Sequence, residues 1–322
     1  MEKKYAPVLI STLNRYEHFR RCLESLERCT GAELTDVYVG LDYPPSEKYV
    51  AGWEKIDAYL KEKEFSHSFK NLYVRKRDHN CGPSGNMKLL YDDVRDISDR
   101  YISIEDDNEL SPCFIEYMNN ALEKYKDDDR VICVSGYTPF TYLGGKNIYF
   151  NRLVYTWGVG RWFKKGEESK PYRTLEFMKS VLCDFSKSMC LFKFHPIVFK
   201  RFMDQIVYNH IYGDLSFTCY CILNDKFCIY PSKTLVRNWG NDGSGVHCKV
   251  VDSYVKRELC QDKTFELDDI KVREEHEIRE LTKKDDQQKW YEEIAIFSRY
   301  MIWRMTKIDI FSVRKIGRKN TK

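Results

Sequence analysis

The sequence predicts an α/β protein with a mainly parallel sheet flanked by helices. Over the first 136 residues, short apolar runs alternate with segments whose apolar residues recur at three- and four-residue steps. Strands that alternate with helices in this way form a parallel sheet with helices on both faces. The chain has 322 residues, of which 43% are hydrophobic, and a chain of this size buries a sizeable core without disulfide or metal cross-links.

This alternation predicts five strands and four helices before residue 137. The strands are the apolar runs Val8–Ile10, Val37–Leu41, Leu72–Val74, Tyr101–Ile104 and Val131–Val134. The helices are the amphipathic segments Arg15–Leu26, Val50–Leu60, Gly82–Val94 and Ser111–Tyr125. Residues 137–166 are rich in aromatic residues and glycine and predict long loops with short strands. Beyond them we expect helices at Leu175–Leu182 and Ile197–Val207 and a strand at Phe227–Tyr230.

Composition narrows the functional class. The 53 basic and 49 acidic residues leave a net charge of +4, which is too balanced for a nucleic-acid partner recognised by bulk charge. No apolar run approaches the ~18 residues that a membrane span needs. The first residues show no secretory signal pattern. Twelve cysteines without such a signal indicate reduced thiols, so we expect a cytoplasmic protein that binds no nucleic acid.

Three polar features follow predicted strands. Asp42 follows the second strand, Asn80 and a glycine-rich segment follow the third, and Glu105–Asp107 ends the fourth. In open parallel sheets, ligands bind beyond the carboxyl ends of the strands. The glycine-rich segment lacks the dinucleotide and P-loop patterns, so it indicates either a phosphate contact or a simple helix start.

The acidic triplet Glu105–Asp107 carries the most information. Three consecutive acids repel one another, and a hard cation such as Mg²⁺ or Mn²⁺ would neutralise them with oxygen ligands. The alternative is a solvated turn that precedes an acidic helix N-terminus. The triplet by itself leaves both interpretations open.

An ordered set of motifs resembles the GT-A nucleotide-sugar glycosyltransferases. Pro7–Arg15 is similar to the opening strand of that family, and Ile104–Phe114 is similar to its metal-binding "DXD" strand end in a Glu-Asp-Asp form. The remaining motifs follow in the order Val131–Gly136, Trp157–Trp162, Gly213–Asp214 and Gly243–His247. This order resembles N-acetylglucosaminyltransferase I and its bacterial relatives in surface-polysaccharide synthesis, and it covers about residues 7 to 248.

The resemblance implies a metal-dependent, inverting hexosyl or N-acetylhexosaminyl transfer from a nucleotide diphosphate sugar, most simply a UDP-sugar. It implies a saccharide or lipid-linked saccharide acceptor. Residues 1–136 would form the nucleotide-sugar-binding half of a GT-A domain and 137–250 the acceptor-binding, catalytic half. Residues 251–322 would form a helical, basic C-terminal extension.

The resemblance also implies roles for individual residues in binding the donor. Asp107 would bind Mn²⁺ or Mg²⁺, while Glu105 and Asp106 would place the ribose and the sugar. Arg15 and Asp42 match positions that hold uridine in the family. We add Thr12, in the opening motif, and Asn80, just past the third strand, as substrate-binding candidates.

Later residues have both a functional and a structural interpretation. Asp214 matches the general base of the family, although its Tyr-Gly-Asp-Leu setting also suits an ordinary helix N-cap. Trp157 and Trp162 could stack on a sugar or pack in the core. His247 follows the glycine-containing loop Asn241–Gly245 and is either a metal ligand or a surface histidine. Cys219, Cys221 and Cys228 hint at zinc, but buried thiols are the simpler interpretation.

The C-terminal segment combines an apolar stripe with basic residues. The stripe consists of Ile294, Phe297, Met301, Met305 and Ile308. From Arg299 onward there are eight basic residues and a single acid, Asp309. Such a helix could lie on an anionic membrane, at ~1 kcal/mol per basic residue near the surface, which would make the protein peripheral at the inner face. Alternatively, the stripe packs on the catalytic domain.

Two rival functions remain. A sugar-phosphate nucleotidyltransferase would need a long glycine-rich loop after the first strand, but Thr12–Tyr16 contains no glycine. A non-catalytic saccharide-binding scaffold would have no reason to retain three mutually repelling acids. We therefore predict a glycosyltransferase, with these two as alternatives.

Overall fold

The computed structural model describes residues 4–140, 144–240, 242–243, 258–274, 276–285 and 289–309, without the side chains of 283–285. The chain forms two compact units. The first unit comprises residues 1–149, 155–165 and 228–272, and the second comprises 150–154, 166–227 and 273–322. We treat each unit separately below.

Ten strands are present in the described residues. They are β1 (Val8–Thr12), β2 (Asp36–Leu41), β3 (Asn71–Lys76), β4 (Arg100–Glu105), β5 (Asn108–Leu110), β6 (Val131–Ser135), β7 (Ile148–Asn151), β8 (Val159–Trp162), β9 (Phe227–Pro231) and β10 (Val236–Asn238). Eight form one sheet in the order β3-β2-β1-β4-β8-β6-β9-β7, while β5 and β10 pair antiparallel in a second sheet. Strands β3, β2, β1 and β4 are parallel neighbours. The predicted α/β class with a mainly parallel sheet is thus confirmed.

Eleven α-helices flank or follow these strands in the described residues. They are α1 (Tyr16–Glu27), α2 (Val50–Lys63), α3 (Gly82–Val94), α4 (Phe114–Lys124), α5 (Phe163–Glu167), α6 (Leu175–Cys183), α7 (Phe185–Phe194), α8 (Pro196–Val207), α9 (Gly213–Leu223), α10 (His276–Asp285) and α11 (Trp290–Thr306). The six helices predicted from periodicity are present, with ends that differ by up to three residues. None of the described helices is both long and apolar enough to cross a membrane.

Strand β8 interrupts the parallel order. It lies antiparallel between β4 and β6, with Ile102 and Val134 both opposite Gly160. A Cβ atom at Gly160 would lie 3.0 Å from the side chain of Leu122, so α4 packs closely over this strand. The sequence predicted only loops with short strands here, because four residues are too few for a clear two-residue alternation.

Helix α3 is fixed against β2 by a buried amide. The Asn86 side chain donates to the Gly40 carbonyl at 2.8 Å and to Ser11 Oγ at 2.9 Å. A Cβ atom at Gly40 would lie 2.5 Å from Asn86 Oδ1, so only glycine leaves room for this contact. The N-terminus of α3 is therefore held at the carboxyl edge of the sheet.

The second unit has a largely helical core. Its fully buried side chains include Phe199, Phe202 and Met203 on α8 and Cys221 on α9. Asn151 donates to the hydroxyl of Thr282 at 3.1 Å and so links β7 to α10 within this unit. Burial raises the pKa of the Cys219 thiol above its ordinary value. Cys219 and Cys221 are buried thiols on an apolar helix, as the simpler interpretation of these residues requires.

A buried ammonium group closes the turn between α4 and β6. Lys165 Nζ donates to the carbonyl oxygens of Tyr125, Asp128 and Val131 at 2.8, 2.8 and 2.9 Å. It also lies 4.0 Å from the ring centroid of Trp162. Because a buried carbonyl without a donor is costly, this single side chain stabilises the whole turn.

Replacing this ammonium tests its contribution to stability. Lys165→Met retains an apolar stem of similar length but removes the ammonium donor from all three carbonyls. The Tyr125 and Asp128 carbonyls then keep only the backbone N–H groups of Asp128 and Val131, at 3.3 and 3.0 Å. We expect the free energy of unfolding in urea to fall by about 3 kcal/mol. The control Lys164→Met, at the exposed neighbouring position, should change it by less than about 0.5 kcal/mol. Equal effects of the two substitutions would contradict this role.

Candidate functional site

The ends of three parallel strands meet at Thr12. The Thr12 carbonyl, at the end of β1, accepts the backbone N–H of Asp42 at 2.9 Å. Its hydroxyl donates to Asp106 Oδ2 at 3.0 Å. Because β1 lies between β2 and β4, Thr12 contacts polar residues that follow both of these neighbouring strands. Asp42 and Asp106, which the sequence placed at separate strand ends, thus belong to one site.

Arg15 bridges the two aspartates of the acidic triplet. Its Nη2 lies 2.9 Å from Asp107 Oδ2 and also contacts Asp106 Oδ1. Arg15 immediately precedes α1, so the start of that helix sets the position of the guanidinium group. The resemblance assigned Arg15 to uridine, whereas the structure places it on the two carboxylates.

Among the described residues, the acid pair carries more negative charge than Arg15 neutralises. Asp106 and Asp107 are both buried, at 6% and 5% exposure. Burial raises the pKa of Asp106, the charge of Arg15 opposes that rise, and the charge of Asp107 adds to it. Burial alone would lower the pKa of Arg15, but the two carboxylates outweigh it and raise the pKa above its ordinary value. When both acids are ionised, the cluster has a net charge of about −1.

The small second sheet holds Asp107 from the other side. Asn238 and Asn108 donate to Asp107 Oδ1 at 2.8 and 3.1 Å, and these two asparagines face each other across the β5–β10 pair. The backbone N–H of Trp239 donates to the Asp107 carbonyl at 2.9 Å. A Cβ atom at Gly240 would lie 2.0 Å from Asp107 Oδ2, so glycine is required beside this carboxylate.

The sequence did not indicate Asn238 or Gly240. Val236–Asn238 is a strand of three residues, which is too short for periodicity to reveal. The next described loop residue, Asp242, lies with its Oδ2 3.2 Å from His18 Nε2 on α1. His18 therefore contacts the start of the glycine-containing loop that the sequence singled out.

Asp42 and Asn80 form the other side of the site. Asp42 Oδ1 accepts the backbone N–H groups of Tyr43 and Cys81 at 2.9 and 2.8 Å. Asn80 donates to Asp42 Oδ2 at 3.2 Å and to the Tyr43 carbonyl at 2.7 Å. The structure therefore brings these two predicted residues into contact. Since Cys81 is the N-cap of α3, the Asp42 carboxylate accepts a backbone N–H at this helix N-terminus.

Arg77 is a further polar residue at this edge. Its Nε donates to Asn86 Oδ1 at 2.9 Å, while its Nη2 is buried and has no hydrogen-bond partner among the described residues. An unpaired buried guanidinium nitrogen is costly unless an acceptor reaches it. Arg77 directly follows β3. This position at a strand end is the signal in the sequence that could have identified Arg77 as a candidate site residue.

The donor set suits a hard divalent cation. No group of three or more His, Cys, Asp or Glu side chains in the described residues is arranged to hold a metal ion. Mg²⁺ and Mn²⁺, however, are commonly held by one or two carboxylates together with substrate phosphates and water. Asp106 and Asp107 provide buried carboxylate oxygens with excess negative charge, so these residues fit such an ion.

The remaining predicted residues of the first unit differ in exposure. Glu105, at the end of β4, is exposed. Trp157 is partly buried, and its ring lies 4.6 Å from that of Tyr137. Trp162 is buried at 4% exposure, with the Lys165 ammonium near its ring. Of the two tryptophans, Trp157 is therefore the more accessible to a ligand.

Asp214 lies in the second unit, as the second residue of α9. The N-cap of this helix is Tyr212, and no side chain caps it. Asp214 is exposed and is thus not the N-cap that the structural interpretation required. A carboxylate in the first turn is stabilised by the helix dipole. His247 lies outside the described residues.

Comparisons with known proteins give only distant structural likenesses. No family model matches the chain, and no curated protein matches it. Among solved structures, residues 1–349 of TarS from S. aureus give a TM-score of 0.34 at 13% identity, covering 49% of this chain and 47% of that one. The mannosyltransferase PcManGT from Pyrobaculum calidifontis, in complex with GDP-Man and Mn²⁺, gives 0.31 at 13% identity, covering 51% and 46%.

A third structure, the bifunctional glycosyltransferase WbbM in its apo form, gives a TM-score of 0.32 at 10% identity, covering 55% of this chain and 35% of that one. The present chain therefore matches less than half the length of each of these proteins. TM-scores this low do not establish a shared fold.

Gly240 offers a test of the Asp107 position. In Gly240→Ala the new methyl group would lie 2.0 Å from Asp107 Oδ2 and must displace it. We expect the affinity for a nucleoside diphosphate in the presence of Mn²⁺ to fall by about tenfold or more, measured by isothermal titration calorimetry. Gly166→Ala, where a Cβ atom meets open space, is the matched control. Unchanged affinity in Gly240→Ala would mean that Asp107 does not serve this binding.

Proposed function

We propose that this chain is a metal-dependent, inverting glycosyltransferase that uses a nucleotide diphosphate sugar. The observation that carries the proposal is the buried pair Asp106 and Asp107 at the carboxyl end of β4, which Arg15 bridges. The Asp42–Asn80 contact lies at the adjoining strand ends. Together they form a polar edge in the place where open parallel sheets bind ligands.

Asp107 would hold the metal ion, with Asp106 beside it. A bound Mn²⁺ or Mg²⁺ supplies positive charge for the phosphate oxygens of the departing nucleoside diphosphate. Asn238 and Asn108 fix the Asp107 carboxylate by their amide groups, which limits the reorganisation that binding requires. His247 is proposed as a further ligand from the glycine-containing loop.

The strand-end residues would bind the donor. Asp42 and Asn80 offer acceptor and donor atoms for a uracil or ribose, and Glu105 adds an exposed carboxylate near the ribose. Thr12 orients Asp106 through its hydroxyl. The buried Nη2 of Arg77 suits a carbonyl or phosphate oxygen of the nucleotide. A UDP-sugar, hexosyl or N-acetylhexosaminyl, is the donor that we propose.

Sugar transfer needs a base as well as a donor site. In the proposed reaction an acceptor hydroxyl attacks the anomeric carbon, the bond to the diphosphate breaks, and Asp214 takes the hydroxyl proton. Trp157 would stack on a sugar ring. The acceptor is proposed to be a saccharide or lipid-linked saccharide in surface-polysaccharide synthesis, at the cytoplasmic side of the membrane.

The two alternatives make different predictions. A sugar-phosphate nucleotidyltransferase would release diphosphate from a nucleoside triphosphate and a sugar phosphate. A saccharide-binding scaffold would bind sugars without hydrolysing any donor. Screening nucleotide-sugar hydrolysis with Mn²⁺ separates the glycosyltransferase from both alternatives, because only a glycosyltransferase releases nucleoside diphosphate from the donor in the slow reaction with water. Diphosphate release from a nucleoside triphosphate and a sugar phosphate then separates the nucleotidyltransferase from the scaffold.

Asp107→Asn tests the metal assignment. The substitution keeps the size of the side chain but removes its charge, so we expect donor turnover to fall at least about 100-fold, with an unchanged unfolding transition. A chelator should abolish turnover of the unmodified protein. Asp96→Asn, at an exposed position of the same unit, is the control. Near-normal turnover of Asp107→Asn, or of the chelated protein, would contradict the proposal.

Asp214→Asn tests the base. We expect kcat for transfer to fall by about 10²-fold or more through loss of proton removal, with little change in donor affinity. Glu176→Gln, an exposed acid in the first turn of α6, is the control and should change neither quantity. If donor binding is lost while kcat is retained, Asp214 would be a donor ligand instead.

A further inference from the structure

Helix α11 has one buried face and one exposed apolar face. Its buried side chains are Ile296, Arg299, Tyr300 and Trp303. On the opposite side, large apolar residues are exposed: Trp290 by 74%, Ile294 by 57%, Phe297 by 37% and Met305 by 73%. Residues at three- and four-residue steps lie on one side of a helix. Among the described residues, the predicted stripe is therefore largely exposed, although the Phe297 ring packs at its edge against that of Phe192 on α7, with the ring centroids 5.6 Å apart.

The buried face fixes the rotation of α11 within the second unit. Arg299 forms ion pairs with Asp309 and with Asp204 on α8, the latter at 2.6 Å. The Tyr300 ring lies 5.2 Å from that of Phe199, and its hydroxyl donates to the Leu182 carbonyl at 3.3 Å. Arg299 and Tyr300 are almost fully covered. The helix cannot turn its exposed stripe inward without breaking this buried ion-pair network.

The exposed face has the composition of an interfacial helix. It combines the aromatic residues Trp290, Tyr291 and Phe297 with the aliphatic Ile294 and Met305. Aromatic rings with a polar edge favour the boundary between lipid and water. A contiguous exposed apolar surface of this kind marks an interaction site.

The sequence that follows this face is positively charged, whereas the first turn of α11 carries the acids Glu292 and Glu293. Helix α11 ends at Thr306, and Lys307 adopts a left-handed conformation, with φ 58°, that stops the helix. From Lys307 onward the sequence contains Lys307, Arg314, Lys315, Arg318, Lys319 and Lys322. The single acid of this segment, Asp309, is neutralised by Arg299. Residues 307–322 therefore contain no further acid that could neutralise their basic residues.

We propose that the exposed face of α11 docks on a membrane surface that contains anionic lipids, with the basic segment after Lys307 contacting the headgroups. Apolar side chains then enter the headgroup boundary while the basic residues lie near negative charge. A second copy of this chain is the less suitable occupant. An isologous contact through this face would pair two chains that each carry the same net positive C-terminal sequence. The docking goes beyond sugar transfer and does not depend on it.

Vesicle co-sedimentation of the full chain tests the docking. We expect binding to vesicles of phosphatidylcholine with 30% phosphatidylglycerol, a composition of about one anionic lipid in three, and little binding to phosphatidylcholine alone. Binding should weaken as salt rises. The double variant Ile294→Glu/Met305→Glu places charge on the exposed face and should lower the binding constant at least about tenfold. Phe65→Glu, at an apolar residue of the first unit that is 91% exposed, should not lower it.

Further measurements separate the possible outcomes. The charge variant Lys315→Glu/Lys319→Glu should also weaken binding, since it reverses the attraction to the headgroups. Circular dichroism and the unfolding transition verify that each variant is folded. Equal binding to neutral and anionic vesicles, or full binding by Ile294→Glu/Met305→Glu, would overturn the proposal. A dimer in light scattering that this variant dissociates, without vesicle binding by either protein, would assign the face to a second copy. None of these assays uses a sugar donor, so failure of the proposed enzyme activity would leave their outcome unaffected.

Discussion

Asp106 and Asp107 are adjacent, acidic and almost fully buried, and the first unit is arranged around this energetically unfavourable pair. One cation, Arg15, lies between them, while Thr12 and two asparagines satisfy further oxygens. These groups come from β1, β5, β10 and the residue before α1. Burying two like charges is costly unless each is hydrogen-bonded or neutralised. The convergence of four segments on two carboxylates is therefore the observation behind the proposed ligand site.

The two sheets contribute different residues to this site. The large sheet aligns the ends of β1, β2 and β4, so that Thr12 contacts both Asp42 and Asp106. The small sheet supplies Asn238, and the chain then continues to Gly240, where any larger residue would collide with Asp107. Rigid strands on one side and a short strand pair on the other hold the carboxylate in place. Such preorganisation would serve the proposed electrostatic stabilisation of a departing diphosphate.

The sequence predicted the elements whose pattern is local. The first four strands and their helices follow from apolar periodicity, and the strand-end positions of Asp42, Asn80 and Glu105–Asp107 follow from them. Two kinds of feature were not predictable. The antiparallel insertion of β8 depends on pairing between distant segments, and the Asn238 contact depends on a strand of three residues. Periodicity reports which face is buried, but it does not report which distant strand becomes the neighbour.

The contact between Asn238 and Asp107 joins residues that are 131 positions apart. The parallel pairs among β1, β2, β3 and β4 involve only the first 105 residues, so these four strands can assemble while the remainder of the chain is still being synthesised. Contacts of long sequence separation form later, because the intervening chain must first be ordered. Asp106 and Asp107 are consequently in place at the end of β4 before β10 supplies Asn238 to Asp107. During biosynthesis, the proposed ligand-binding edge would be the last part of the sheet region to form. Until β10 is synthesised and pairs with β5, the nascent chain would expose the acidic end of β4.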